Sequence, residues 1–153
     1  NHSRPGDTVA ILGSEPQICF YSHRRSATSH IYIYPLVGAH KYASSMQQEM
    51  IREIEAAQPH FILFVYIPDS WMMDKKADSS ILKWFTNYSA ANYDHVGTVQ
   101  IMLDGTPVYD WGPDAAKNKP QSDYWIAVLE RKTSEGASPP PDSPKRSIPP
   151  ARL

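Results

Sequence analysis

Apolar residues in this chain come in short blocks with sharp edges. Thr8-Val9-Ala10-Ile11-Leu12 follows Gly6-Asp7 as a continuous apolar run, the pattern of a strand buried on both faces in a parallel sheet. The run stops at Gly13-Ser14-Glu15-Pro16. There Ser14-x-x-Gln17 fits a capping box and Pro16 fits a first helical turn. Ile18 to Tyr21 then give a short apolar helix, with Arg24 and Arg25 at the end that favours cations. His30-Ile31-Tyr32-Ile33-Tyr34 is β-branched and aromatic, which predicts a second strand stopped by Pro35.

Tyr42 to Gln58 has the clearest helical period. Tyr42, Met46, Met50, Ile54 and Ala57 recur at three and four residues, while Gln47, Gln48, Glu49, Arg52, Glu53 and Glu55 fall largely on the other faces. Pro59 ends it, and Phe61 to Ile67 is a third strand, apolar throughout and so expected near the centre of the sheet. Asp78 can cap a helix whose Ile81, Leu82, Phe85 and Tyr88 form an apolar stripe with Trp84 at its margin. Further on, Thr98 to Leu103 and Pro107 to Trp111 flank Asp104-Gly105-Thr106, a hairpin signal, and Tyr124 to Leu129 reads as a last strand. The order predicts an α/β fold: a three-layer Rossmann-like sheet with a parallel N-terminal part and C-terminal antiparallel hairpin strands. A third strand flanked by the first two would satisfy right-handed crossovers.

Composition narrows this picture. A length of 153 residues suits one domain, taken as 1–132, with the Pro- and Ser-rich segment 133–153 expected to be a disordered tail. Lys and Arg number 15 against 16 Asp and Glu, so there is no electrostatic case for nucleic acid. The single Cys19 excludes an internal disulfide framework. It sits between apolar neighbours, where a thiol is usually inert. No charged segment followed by an apolar one is visible near Asn1, and no apolar run approaches the ~18 residues of a membrane helix. The chain reads as part of something longer.

Candidate chemistry lies at the ends of the parallel strands, where α/β sheets usually bind ligands. The opening turn is a poor phosphate cradle. A dinucleotide fingerprint needs three glycines, whereas Gly13 is followed by an acid and a proline. Ser14, Glu15, Tyr34, Asp69, Ser70 and Trp71 give the rim carboxylates, hydroxyls and an aromatic face, a mixture suited to a sugar-like ligand. The same residues also read as ordinary structure: Ser14 as a cap, Asp69 and Ser70 as turn residues, Trp71 as a plug for the core. Arg24 and Arg25 could grip a phosphate or merely compensate a helix dipole. The six histidines show no metal-ligand spacing, and neither a metal nor another cofactor is expected. Met72 and Met73 suggest an exposed apolar edge.

The phrases GDTVAILGSEPQICFYSHRRSATSHIYIYPL and YASSMQQEMIREIEAAQPHFILFV, with Ser70-Trp71, Trp111-Gly112 and a closing YWIAVLERK, resemble the C-terminal soluble part of bacterial polytopic membrane glycosyltransferases. These belong to family 39, are like the protein mannosyltransferases, and use polyprenyl-phosphate sugars. The resemblance covers roughly Gly6 to Lys132. It implies a domain on the periplasmic, extracytoplasmic face of the inner membrane, partnered by the membrane-embedded part of the same chain and by a lipid-linked sugar or acceptor. It also implies that the catalytic carboxylate lies in a loop beside the membrane helices, so that no catalytic residue is carried over and this part alone cannot transfer sugar. Gly13, Ser14, Glu15, Pro16, Arg25, Tyr34, Pro35, Ser70 and Trp71 are the matching residues expected at the strand ends. Two other readings stay open: a free-standing module for a nucleotide or sugar phosphate, and a structural domain for protein contact.

Overall fold

Most of the apolar blocks become strands. The computed structural model describes residues 3–4 and 6–133; the tail expected from Thr133 lies, beyond Thr133 itself, outside the described residues. Within them β1 (Thr8–Leu12), β2 (Arg25–Ser26), β3 (Phe61–Tyr66), β4 (Tyr93–Ile101), β5 (Pro107–Trp111) and β6 (Trp125–Arg131) form one sheet. Its order is β2-β1-β3-β6-β4-β5. The β2, β1 and β3 strands run parallel, and β6, β4 and β5 continue the sheet antiparallel. The fold is thus α/β, with the parallel part first in the chain. β1, not β3, is the strand flanked by the other two parallel ones.

The helices take both faces. From α2 (Ala43–Ala57) and α4 (Ser80–Asn92), the side chains of Met50, Ile54, Ile81 and Phe85 bury against Ala10, Leu12, Ile62 and Phe64. On the other face lies α1 (Gln17–Ser22), only six residues long and with none of them buried, so this outer layer is thin. Its Ile18 lies over Val9 and Leu63. The single turn α3 (Pro68–Trp71) follows β3 directly.

Further expectations are corrected. The block from His30 to Tyr34 is not a strand, because β1's free edge is taken by Arg25–Ser26 instead. That strand is cut short when the Ser26 hydroxyl donates to the Thr28 carbonyl and accepts the Thr28 N–H. The following segment is pinned by side chains: Ser29 N–H donates to Glu53, and Ile33 N–H donates to the Ser14 hydroxyl at 3.1 Å. Ile33 is buried as a peg, and Tyr34–Val37 wind into a 3-10 turn. The capping box also fails. Pro16 occupies the N-cap of α1 with no side-chain bond, because the Ser14 hydroxyl is already committed to Ile33 and Gln17 turns to Glu15. Arg24 does serve the helix end, donating to the carbonyls of Ser22 and His23.

Gln47, placed by periodicity on the polar side of α2, is fully buried. Its amide nitrogen donates to the carbonyls of Leu36 and Asp78, both at 2.7 Å, and its oxygen accepts the Ile81 N–H at 2.9 Å. One side chain therefore ties the 3-10 turn to the start of α4. Buried polar atoms survive only when paired in this way. Asp78, expected to cap α4, stands one residue before its N-cap, which is Ser79 and makes no side-chain bond; the Asp78 carboxylate instead accepts from the Ser80 N–H and hydroxyl, which hold its pKa below the usual range.

Candidate functional site

The chain leaves β1 towards β2 through α1 and returns to β3 through α2, on opposite faces. The crevice between the carboxyl ends of β1 and β3 is therefore the topological switch point, the usual ligand position in such sheets. Here it is closed. Gly13 has φ +153° and packs so tightly that an added Cβ would stand 2.6 Å from Val65 Cγ2. The Ser14 N–H, the donor a phosphate would want, donates to Ser70 Oγ at 2.7 Å, and both serines are buried. Pro16 has no N–H, and the Ile18 and Cys19 amides bond back to Glu15 and Pro16. Gly13 is a close-packing glycine, and the corner holds few free donors.

Six of the rim residues do come together here. Ser14, Ser70 and Trp71 are buried; Tyr34 donates its hydroxyl to the Asp69 carbonyl at 3.3 Å. Trp71 donates its indole N–H to the Val65 carbonyl at 2.7 Å and packs on Phe64, so it plugs the core. Glu15 is half-buried at the corner and its carboxylate accepts from Gln17. Arg25 does not belong to this group. It pairs with Thr8 at the opposite end of β1, about 13 Å away at the rise of an extended strand.

An open cleft lies one strand further along, between the ends of β3 and β6. It has a volume of about 620 Å³, within the range of small-ligand sites. Tyr66 and Trp125 are cross-strand partners, and their rings stack with centroids 3.8 Å apart and planes 6° apart. Partial burial pushes the Tyr66 hydroxyl pKa up, which keeps it a neutral donor and acceptor. Asp69, Asp123 and Trp71 also line the cleft, and among the described residues no Lys, Arg or His does. Met72 sits at its edge, 72 % exposed, which places part of the expected apolar edge here; Met73 packs inward against the core.

Of the rim residues expected from sequence, Asp69 and Trp71 line this cleft; Tyr66, Asp123 and Trp125, which also line it, were not among them. A signal for them existed. An aromatic at the end of one strand and another at the start of a later one become neighbours if the strands pair antiparallel, but that pairing was not legible. The histidines are dispersed: His30 faces Glu49 at 3.5 Å, His60 faces Glu130 at 3.2 Å, and His95 bonds to Gly97 and Thr98. His2 lies outside the described residues. Among the described residues no three His, Cys, Asp or Glu side chains are grouped to hold a metal. Cys19 is half-buried and its thiol pKa is raised by that burial. No helix among the described residues is long and apolar enough to cross a membrane. Compared with protein-family models, curated proteins and solved structures, the chain matches none.

Proposed function

We propose that this chain is the extracytoplasmic accessory domain of a polytopic membrane glycosyltransferase that uses polyprenyl-phosphate sugars, and that it presents the β3–β6 cleft to a sugar ring of the donor or acceptor. The observation that carries this reading is the cleft's chemistry: stacked aromatic rings, two carboxylates in the lining and, among the described residues, no cationic side chain. Aromatic faces cover the apolar side of a pyranose, and carboxylates accept hydrogen bonds from its hydroxyls. The same lining repels a phosphate, so the ring and not the phosphate is the part addressed. Bond cleavage belongs in this reading to the membrane-embedded part of the same chain, and the domain is non-catalytic by itself.

The coding sequence ahead of Asn1 tests the assignment: the expected result is about ten or more apolar spans of ~20 residues each, and a start codon immediately before Asn1 would contradict it. In that longer protein, Asp123→Asn with Trp125→Ala is expected to raise the KM for the sugar-bearing substrate about tenfold or more. Unchanged transfer kinetics would remove the cleft from the mechanism.

A further inference from the structure

A second hollow, of about 460 Å³, lies on the opposite face of the sheet, under the thin layer formed by α1. Its floor is Val9, Leu63, Val99 and Val128, contributed by four different strands, and its walls are Ile18 and Trp111. The indole of Trp111 lies directly over Gly97, in the space a Cβ would take, so only glycine there lets the ring lie flat. Its outer side stays open, with Trp111 55 % exposed. The strands are packed by two long helices on one face and by six residues of α1 on the other, which leaves this trough without a cover among the described residues.

The mouth of the trough is polar and carries a cation. Arg24 lies there, and it forms no ion pair among the described residues. Its Nη2 donates to the Ser3 hydroxyl at 2.8 Å, and its Nη1 donates to the carbonyls of Ser22 and His23. Its Nε–H is buried with no acceptor among the described residues. Neutral oxygens thus hold the guanidinium, and no carboxylate of the described residues compensates its charge. Asp7 shares the mouth, but its carboxylate accepts the Arg4 N–H at 2.6 Å and makes no ion pair with Arg24.

We infer that this trough binds a single-chain amphiphile with an anionic head, the chain lying over Val9, Leu63, Val99 and Val128 and the head at Arg24. The chain removes the part-exposed Leu63, Val99 and Val128 from water, Val9 being buried already. The head compensates the guanidinium, and after a small rotation of the side chain gives the Nε–H its missing acceptor. Carboxylate and phosphate share this chemistry. Arg24 sets the preference for an anion, and Trp111 is the wall that reports occupancy.

The test is a fluorescence titration of the 153-residue chain with cis-parinaric acid, followed by displacement with dodecanoate, dodecyl phosphate and dodecanol. Saturable uptake of one equivalent is expected, with one or both anions displacing the probe about tenfold better than the alcohol; which anion wins identifies the head. Arg24→Gln should erase that advantage, Arg24→Lys should restore part of it, and Asp7→Asn should strengthen anion binding. Val99→Trp should fill the trough and abolish uptake with an unchanged circular dichroism spectrum, and Val128→Phe serves if that variant does not fold. Absence of saturable uptake, equal displacement by the alcohol and the anions, or an R24Q variant that keeps the anion preference would each overturn the proposal.

Discussion

The two corners at the carboxyl edge of this sheet are built from similar residues and do opposite things. After β1, polar groups turn inward: the Ser14 N–H donates to Ser70 Oγ, the Ser14 hydroxyl accepts from the Ile33 N–H, and Gly13 closes on Val65. Between β3 and β6, the polar groups stand at the rim and the aromatic faces stay accessible, with Tyr66 40 % exposed. A strand-end position alone therefore does not make a site. What matters is whether the polar atoms there are already satisfied by the protein, and the β1 corner is satisfied.

Substitutions at the first corner are therefore expected to act on stability and substitutions at the second on binding. The largest effect is expected from Trp71→Ala, since Trp71 plugs the first corner and lines the cleft. Loss of its packing on Phe64 and of its bond to the Val65 carbonyl should cost about 4 kcal/mol in urea unfolding, and a loss under about 1 kcal/mol would break the comparison. Gln47→Leu comes next: it leaves the Leu36 and Asp78 carbonyls and the Ile81 N–H without their partner, a loss of about 3 kcal/mol. Ser70→Ala exposes no new surface but orphans the buried Ser14 N–H, and should cost about 1.5 kcal/mol in the same assay.

The far end of the sheet supplies a control that both corners should ignore. Tyr93 is buried and donates its hydroxyl to the Pro59 carbonyl at 2.8 Å. Burial, reinforced by Tyr88, pushes its pKa from 10.0 up to about 12. The folded state therefore favours the neutral phenol. That contribution is whole below pH 10 and is lost as pH rises through 10 towards 12, by as much as about 1.4 kcal/mol per pH unit. Unfolding midpoints measured across this range should fall, and Tyr93→Phe should flatten the fall. The smallest effect belongs to the cleft: Asp123→Asn should change stability by no more than about 0.5 kcal/mol. Such a variant, folded but weakened in sugar binding, would sharpen the contrast.

What the sequence conveyed, and what it hid, follows the same division. Long periodic or continuous blocks were legible: α2 was expected at Tyr42 to Gln58 and spans Ala43–Ala57, and β3 was expected at Phe61 to Ile67 and spans Phe61–Tyr66. The hairpin also follows its signal, with Ile101 opposite Pro107 and Gly105 at φ +83°. The block from His30 to Tyr34 misled because strand propensity says nothing about a free edge to pair with. Gln47 misled because periodicity cannot tell a solvated amide from a buried one with three partners. The β1 corner was legible as a poor phosphate cradle, since an acid and a proline can be seen in the sequence. The cleft was half legible: Asp69 and Trp71 lie beside a strand end in the chain, whereas Trp125 and Asp123 reach Tyr66 only through the placement of β6 next to β3.

The most direct test of the contrast is an NMR titration of the ¹⁵N-labelled chain, first with methyl pyranosides and then with inorganic pyrophosphate. The pyranosides are expected to shift the Trp125 indole N–H and the amides of Tyr66 and Asp123, and pyrophosphate is expected to leave Ser14 and Glu15 unmoved. Pyrophosphate moving the Ser14 and Glu15 amides, with Trp125 silent to every sugar, would contradict the account.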